Sequence, residues 1–159
     1  MGGIFRVSEI VEMAIDEEHN GYHFYKALEA RAETDPVKTA AARLAEEEQG
    51  HEKAFIALKD RLSTYIPPES YPGEYADYVG ALVEGRAFPS EEEAAALARA
   101  GSDADAVRSA IHFEKNTLLF MSEMQRLVPE SERETVEVLM DEERGHLVDL
   151  SRLLDSIEP

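Results

Sequence analysis

The sequence predicts an all-α protein in which two helical hairpins form one four-helix bundle. Four segments repeat apolar residues at spacings of three and four, which is typical of helices with one buried face. The chain also repeats itself, because Glu48-Gln49-Gly50-His51 recurs 95 residues later as Glu143-Arg144-Gly145-His146. Frequent prolines and glycines separate the two copies. We therefore expect a single domain over residues 1–159, with two similar hairpins joined by a long crossover.

The first hairpin is expected at about residues 7–63. Its first helix should begin near Ser8 and run to about Glu33. Asp35-Pro36 should then start the second helix, because proline suits the first turn of a helix. The repeated Glu and His lie in the middle of the apolar face of this second helix.

The crossover is expected at about residues 64–102. One short helix could cover Glu74 to Glu84, and a capping box at Ser90 should open another. Four tyrosines give this segment an apolar surface. We expect it to pack across the bundle or against a second subunit.

The second hairpin is expected at about residues 103–158. Ser102 should cap its first helix, and Val128-Pro129 should end that helix and open the next one. The second copy of the Glu and His motif again replaces apolar residues in the middle of a helix face.

Six of these residues form two matched sets of metal ligands. In each copy of the motif, a Glu and a His three residues apart share a helix face, and another Glu lies about thirty residues upstream. At the centre of a bundle, ionised carboxylates are costly unless they are paired or bound to metal. Two divalent cations would balance four carboxylates, so we expect a two-metal site; the alternative is a metal-free bundle with internal Glu and His pairs. The six residues are Glu18, Glu48, His51, Glu114, Glu143 and His146.

Other polar residues near the motifs receive different interpretations. Tyr25, two turns after Glu18, is the candidate catalytic residue because its hydroxyl could hydrogen-bond a ligand carboxylate; an ordinary core aromatic is the alternative. The remaining acidic and histidine neighbours are interpreted as solvated or surface residues, namely Glu46, Glu47, Glu142, His19, His23 and His112.

Composition excludes several classes of function. The sequence contains no cysteine, which excludes thiolate metal sites and disulfides within it. A formal net charge of −18 argues against nucleic acid and anionic membranes as partners. The first residues, Met1 to Arg6, lack the apolar run of a signal peptide, and no segment is apolar enough to span a bilayer. We therefore expect a cytoplasmic protein.

The segments Glu18-His19-Asn20-Gly21-Tyr22-His23-Phe24-Tyr25 and Leu44-Ala45-Glu46-Glu47-Glu48-Gln49-Gly50-His51 resemble the rubrerythrin-type di-iron domain of the ferritin-like superfamily. The second half repeats the pattern through Glu114 and Glu143-Arg144-Gly145-His146. The resemblance implies a ferritin-like bundle with two iron ions, for which manganese or zinc could substitute. It further implies that Glu48 and Glu143 bridge the metals, that Glu18 and Glu114 are more terminal, and that each His binds one iron.

The resemblance also implies an oxidoreductase that reacts with hydrogen peroxide or dioxygen. Rubrerythrins usually contain a rubredoxin domain, whereas this sequence has no cysteines, so we expect an external electron-donor protein. Some members have an extra carboxylate one helical turn after the upstream Glu of the second half, where this chain has Thr117; the equivalent residue of the first half is Gly21. We favour a peroxidase; the alternatives are a ferroxidase or iron-handling protein and a non-catalytic metal-binding module. We also expect a homodimer.

Overall fold

A computed structural model describes residues 6–69, 71, 73–83 and 89–158, and these residues form six α-helices and no β-strand. The structure confirms the predicted all-α, ferritin-like bundle. The four long helices are α1 (Val7–Arg31), α2 (Asp35–Leu62), α5 (Asp103–Leu127) and α6 (Glu130–Ile157), and the two short ones are α3 (Glu74–Val83) and α4 (Glu91–Arg99).

Helix α1 ends two residues earlier than the sequence predicts, at Arg31 instead of Glu33. The amides of Glu33 and Thr34 leave the helix and donate hydrogen bonds to the buried carboxylate of Asp103, at 3.0–3.1 Å. Arg31 donates a further hydrogen bond to Asp103 at 3.0 Å. This carboxylate thus joins the loop of the first hairpin to the start of the second.

The crossover contains both predicted short helices. Ser90 and Glu93 form the predicted capping box at the start of α4, which packs against α1. Val79 of α3 is buried in the core. The predicted end of the first crossover helix, Glu84, lies outside the described residues, as do Met1 to Phe5 of the N-terminal segment. Packing against a second subunit stays a prediction.

Among the residues that the structure describes, the buried apolar side chains form two clusters. One contains the start of α1 and α6 with the end of α2 and α5, including Phe55 and Phe120. The other contains the opposite ends of the same helices, including Phe24 and Leu44. Burying one such side chain stabilises the fold by about 1.5–3 kcal/mol. On all four long helices, the candidate metal ligands lie between the two clusters.

In the part of the chain that the structure describes, no helix has the length and apolar character needed to cross a membrane.

Candidate metal centre

The structure brings all six predicted ligands together in the middle of the bundle. All six residues are buried, and none of them is more than 5% exposed. They form two groups of four, and within each group the candidate ligand atoms lie within 4.8 Å of one another. One group is Glu18, Glu48, His51 and Glu143, and the other is Glu48, Glu114, Glu143 and His146. Glu48 and Glu143 belong to both groups, so these two carboxylates are the ones that could contact a metal ion in either group.

Glu143 lies between the two histidines. Its Oε1 atom is 2.6 Å from His51 Nδ1, and its Oε2 atom is 3.0 Å from His146 Nδ1. The two imidazole rings stack with their centroids 5.4 Å apart and their planes at 20°. Both histidines therefore direct Nδ1 toward the cluster, and one carboxylate contacts both.

A second carboxylate holds each histidine from outside. His51 Nε2 donates to Glu142 Oε2 at 2.7 Å, and His146 Nε2 lies 3.0 Å from Glu47 Oε2. Such an outer hydrogen bond fixes the orientation of an imidazole and the nitrogen that is free to bind metal. The sequence predicts that Glu47 and Glu142 are solvated flanks. They are partly exposed, but they also orient histidines of the opposite hairpin, and the Glu-Glu doublet before each glycine was the available signal.

Tyr25 makes the predicted contact with a ligand carboxylate. Its hydroxyl donates a short hydrogen bond to Glu114 Oε1, and the residue is only 2% exposed. Burial and the neighbouring Glu114 carboxylate raise the pKa of the Tyr25 hydroxyl well above its usual value. The corresponding residue of the second hairpin is Met121, which is buried and apolar. The two halves of the cluster are therefore chemically different, while a catalytic role for Tyr25 stays a prediction.

Burial is the main influence on three of the four carboxyl groups. It raises the pKa of Glu18 and of Glu48 well above the usual value, with repulsion from neighbouring carboxylates adding to the effect. Burial and the charge of Glu143 raise the pKa of Glu114 to about 8. Glu143 differs because burial, which would raise its pKa, is outweighed by the hydrogen bond from His146 and by the close ion pair with His51, and its pKa lies well below the usual range. In the metal-free cluster Glu143 is therefore the ionised carboxylate.

Both histidines of the metal-free cluster have raised pKa values, which favour the positively charged imidazolium form. Burial lowers the pKa of His51, but the close ion pair with Glu143 and the hydrogen bond to Glu142 outweigh burial and raise it to about 9. Burial likewise opposes the rise for His146, whose carboxylate neighbours Glu114 and Glu143 raise its pKa to about 10. Metal binding at neutral pH would therefore have to displace protons from both rings.

The cluster fits divalent metal ions better than internal pairing alone. Glu143 does pair with both histidines, as the metal-free alternative requires. Among the described residues, however, neither carboxylate oxygen of Glu18 has a hydrogen-bond partner of good geometry, and neither does Glu48 Oε1. Buried polar atoms without partners are unfavourable. Metal ions would satisfy these oxygens, and mixed carboxylate and imidazole ligands suit iron, manganese and zinc.

A cavity of about 830 Å³ between α1, α4 and α5 reaches one side of the cluster. Its wall includes Glu48, Glu114 and Tyr25, together with Gly21 and Thr117. A β-carbon at Gly21 would lie only 2.7 Å from Glu48 Oε2, so a glycine leaves room for this ligand. The cavity gives a small molecule access to a cluster that is otherwise buried.

Comparisons with known proteins agree with this architecture. A family model described as rubrerythrin matches residues 9–154. The solved structure of a hypothetical protein from Pyrococcus furiosus is similar, with a TM-score of 0.67 and 24% sequence identity. The similarity covers 98% of this chain and 94% of that chain, and at this identity it shows the fold alone. None of the curated protein sequences matches this chain.

Proposed function

We propose that this chain, which belongs to the rubrerythrin family, binds two iron ions in the bundle and reduces hydrogen peroxide with electrons from a separate donor protein. The observation that supports this proposal most directly is the pair of ligand groups that share Glu48 and Glu143. One metal ion would bind between these two carboxylates with Glu18 and His51. The other would bind between them with Glu114 and His146.

Iron is the proposed metal because of family membership, since the donor set also suits manganese and zinc. Four carboxylates balance the charge of two divalent cations. The net charge of −18 of the whole chain also favours cation binding.

Peroxide reduction consumes one H₂O₂, two electrons and two protons and releases two waters. Two bound ferrous ions would supply the two electrons that cleave the O–O bond. The surrounding side chains determine how the oxidant reaches the cluster and where a proton is held beside it. The cavity admits an oxidant to the Glu48 and Glu114 side of the cluster. On the same wall, the hydroxyl of Tyr25, whose pKa is raised above its usual value, donates a hydrogen bond to Glu114.

An external donor is proposed for turnover, because the sequence has no cysteine to hold a rubredoxin-type iron. Such a donor would return two electrons to the cluster for each peroxide reduced.

A homodimer, also expected from the sequence, would change the surroundings of the crossover without changing the ligand set, since one chain supplies all six ligands.

A single-turnover experiment tests the peroxidase proposal. The protein is loaded with ferrous iron without oxygen, desalted and mixed in a stopped-flow instrument with peroxide or, separately, with dioxygen. We expect one peroxide to be consumed for every two irons, faster than with dioxygen and faster than with free ferrous iron. A rate equal to that of free ferrous iron would contradict the proposal. The variant Glu46→Gln is the control, because Glu46 is exposed on α2 and belongs to neither ligand group.

Ferroxidase activity is the second candidate, and the strongly acidic composition favours it because an acidic surface attracts cations. The same instrument distinguishes it. Faster oxidation by dioxygen, followed by consumption of ferrous iron beyond two per chain, would favour iron handling over peroxide reduction.

A further inference from the structure

A second cluster of metal-ligating side chains lies on the surface, where α4 packs against α1. His19 and His23 are one turn apart on α1, and Glu91 is the first residue of α4. His19 Nε2 lies 3.4 Å from Glu91 Oε2, and His23 Nδ1 lies 3.4 Å from Glu91 Oε1. The sequence predicts that both histidines lie on the surface. Only the packing of α4 on α1 brings Glu91 to them.

We propose that His19, His23 and Glu91 bind one zinc ion or a similar divalent transition-metal cation, at a site separate from the buried cluster. One ligand atom from each residue lies within 4.8 Å of the others. Two imidazoles and one carboxylate are a common ligand set for zinc, which then takes water as its fourth ligand. The side chains are 45%, 30% and 57% exposed, respectively, which leaves room for that water.

The distances from the two imidazoles to Glu91 are compatible with ligands of one shared metal ion. Two ligand atoms on a tetrahedral zinc with bonds of about 2.0–2.1 Å lie about 3.3–3.4 Å apart. His19 Nε2 lies 3.4 Å from one oxygen of Glu91 and His23 Nδ1 lies 3.4 Å from the other, so the carboxylate lies beside both rings at a spacing similar to that of zinc ligands.

Glu52 of α2 supports His19 from behind. Its Oε1 atom lies 3.3 Å from His19 Nδ1, whereas His19 Nε2 faces Glu91. A carboxylate on the second imidazole nitrogen commonly orients a metal-binding histidine. The ring of His23 is positioned by edge contacts with Tyr22, at 5.1 Å, and with His19, at 4.7 Å. Glu52 thus orients His19 and Tyr22 orients His23, and neither of these two neighbours belongs to the proposed ligand group.

A cation at this site would connect α4 to α1. Helix α4 also supplies Ala94 and Leu97 to the wall of the cavity that reaches the buried cluster. Binding should therefore restrict the motion of the cavity wall, and this effect can be measured independently of any catalytic activity.

Zinc content measured by equilibrium dialysis tests the site. The wild-type chain and the variants His19→Ala and His23→Ala are dialysed against micromolar Zn²⁺ and analysed for metal. We expect each variant to bind one zinc fewer per chain than the wild type. The matched control is His112→Ala, because His112 is an exposed histidine on α5 that belongs to none of the described metal-ligating groups. Equal zinc content in all four proteins would overturn the site.

Two further measurements distinguish a metal site from loss of folding in the variants. Glu52→Ala, which leaves all three proposed ligands in place, should weaken zinc binding about 10- to 100-fold. Zinc should slow amide hydrogen exchange in residues 91–99 of the wild type but not of His23→Ala. Slowing that is the same in both proteins would overturn the proposed link between α4 and α1.

Discussion

Raising the pH should destabilise the metal-free protein. The perturbation is removal of metal by a chelator, followed by unfolding measurements at pH values from 5 to 9. In the folded metal-free chain, Glu114 keeps its proton up to a pKa of about 8, compared with 4.5 for an ordinary Glu. The unfolded chain loses this proton near its ordinary pKa. Between these two values the folded state binds more protons than the unfolded state, so the free energy of unfolding falls as the pH rises.

The magnitude follows from the difference in pKa. Each tenfold difference in proton affinity corresponds to about 1.4 kcal/mol, so the rise of Glu114 from 4.5 to about 8 corresponds to a loss on the order of 5 kcal/mol. His51 and His146 act in the same direction, because their raised pKa values of about 9 and 10 give stability that is present below 6.5 and lost above it. Glu143, whose pKa is lowered, has its effect only in acid below 4.5.

The assay is chemical denaturation at each pH, with circular dichroism as the measure of unfolding. Glu114→Gln keeps the shape of the side chain but removes the titration, so its stability should fall less steeply. Glu46→Gln should behave like the wild type. In the Mn²⁺-loaded protein, the ligands have already lost their protons, so stability should rise between pH 5 and 6.5. A free energy of unfolding that stays constant or rises with pH in the metal-free wild type would refute this reasoning.

Three further substitutions test individual contacts of the buried cluster. Gly21→Ala should weaken metal binding, since the new β-carbon would lie 2.7 Å from Glu48 Oε2. Gly50→Ala, which has open space around it, should leave metal binding unchanged and stabilise α2 by about 0.5–1 kcal/mol. Titration with Mn²⁺ measures the binding, and thermal unfolding measures the stability. Glu142→Ala should weaken metal binding about 10- to 100-fold by freeing an imidazole, while Glu46→Ala should not; equal losses would contradict the outer hydrogen bond. Tyr25→Phe should keep the full metal content and slow peroxide consumption, and an unchanged stopped-flow rate would exclude a role for the hydroxyl.

The long helices and the six cluster residues follow from local sequence patterns. Apolar periodicity and capping residues act within a few positions, so they predict where α2 begins and where Glu48 and His51 face. The end of α1 differs from the prediction, because the carboxylate of Asp103, 70 residues away, accepts a hydrogen bond from the amide of Glu33. Periodicity contains no information on that contact.

Contacts between helices were harder to predict from the sequence for the same reason. The hydrogen bond from His51 to Glu142 depends on how closely α2 approaches α6, and the meeting of His23 with Glu91 depends on how α4 crosses α1. Both pairs join residues more than 60 positions apart. Residue spacing alone places each side chain on a helix face, but the packing of the helices decides which faces meet.

A crystal structure of the chain loaded with ferrous iron, with anomalous diffraction recorded at the iron absorption edge, would test the two-metal site most directly. We predict two iron peaks in each chain, both between Glu48 and Glu143, one beside His51 and the other beside His146. A single peak among these residues, or none in crystals grown with excess iron, would contradict a di-iron centre.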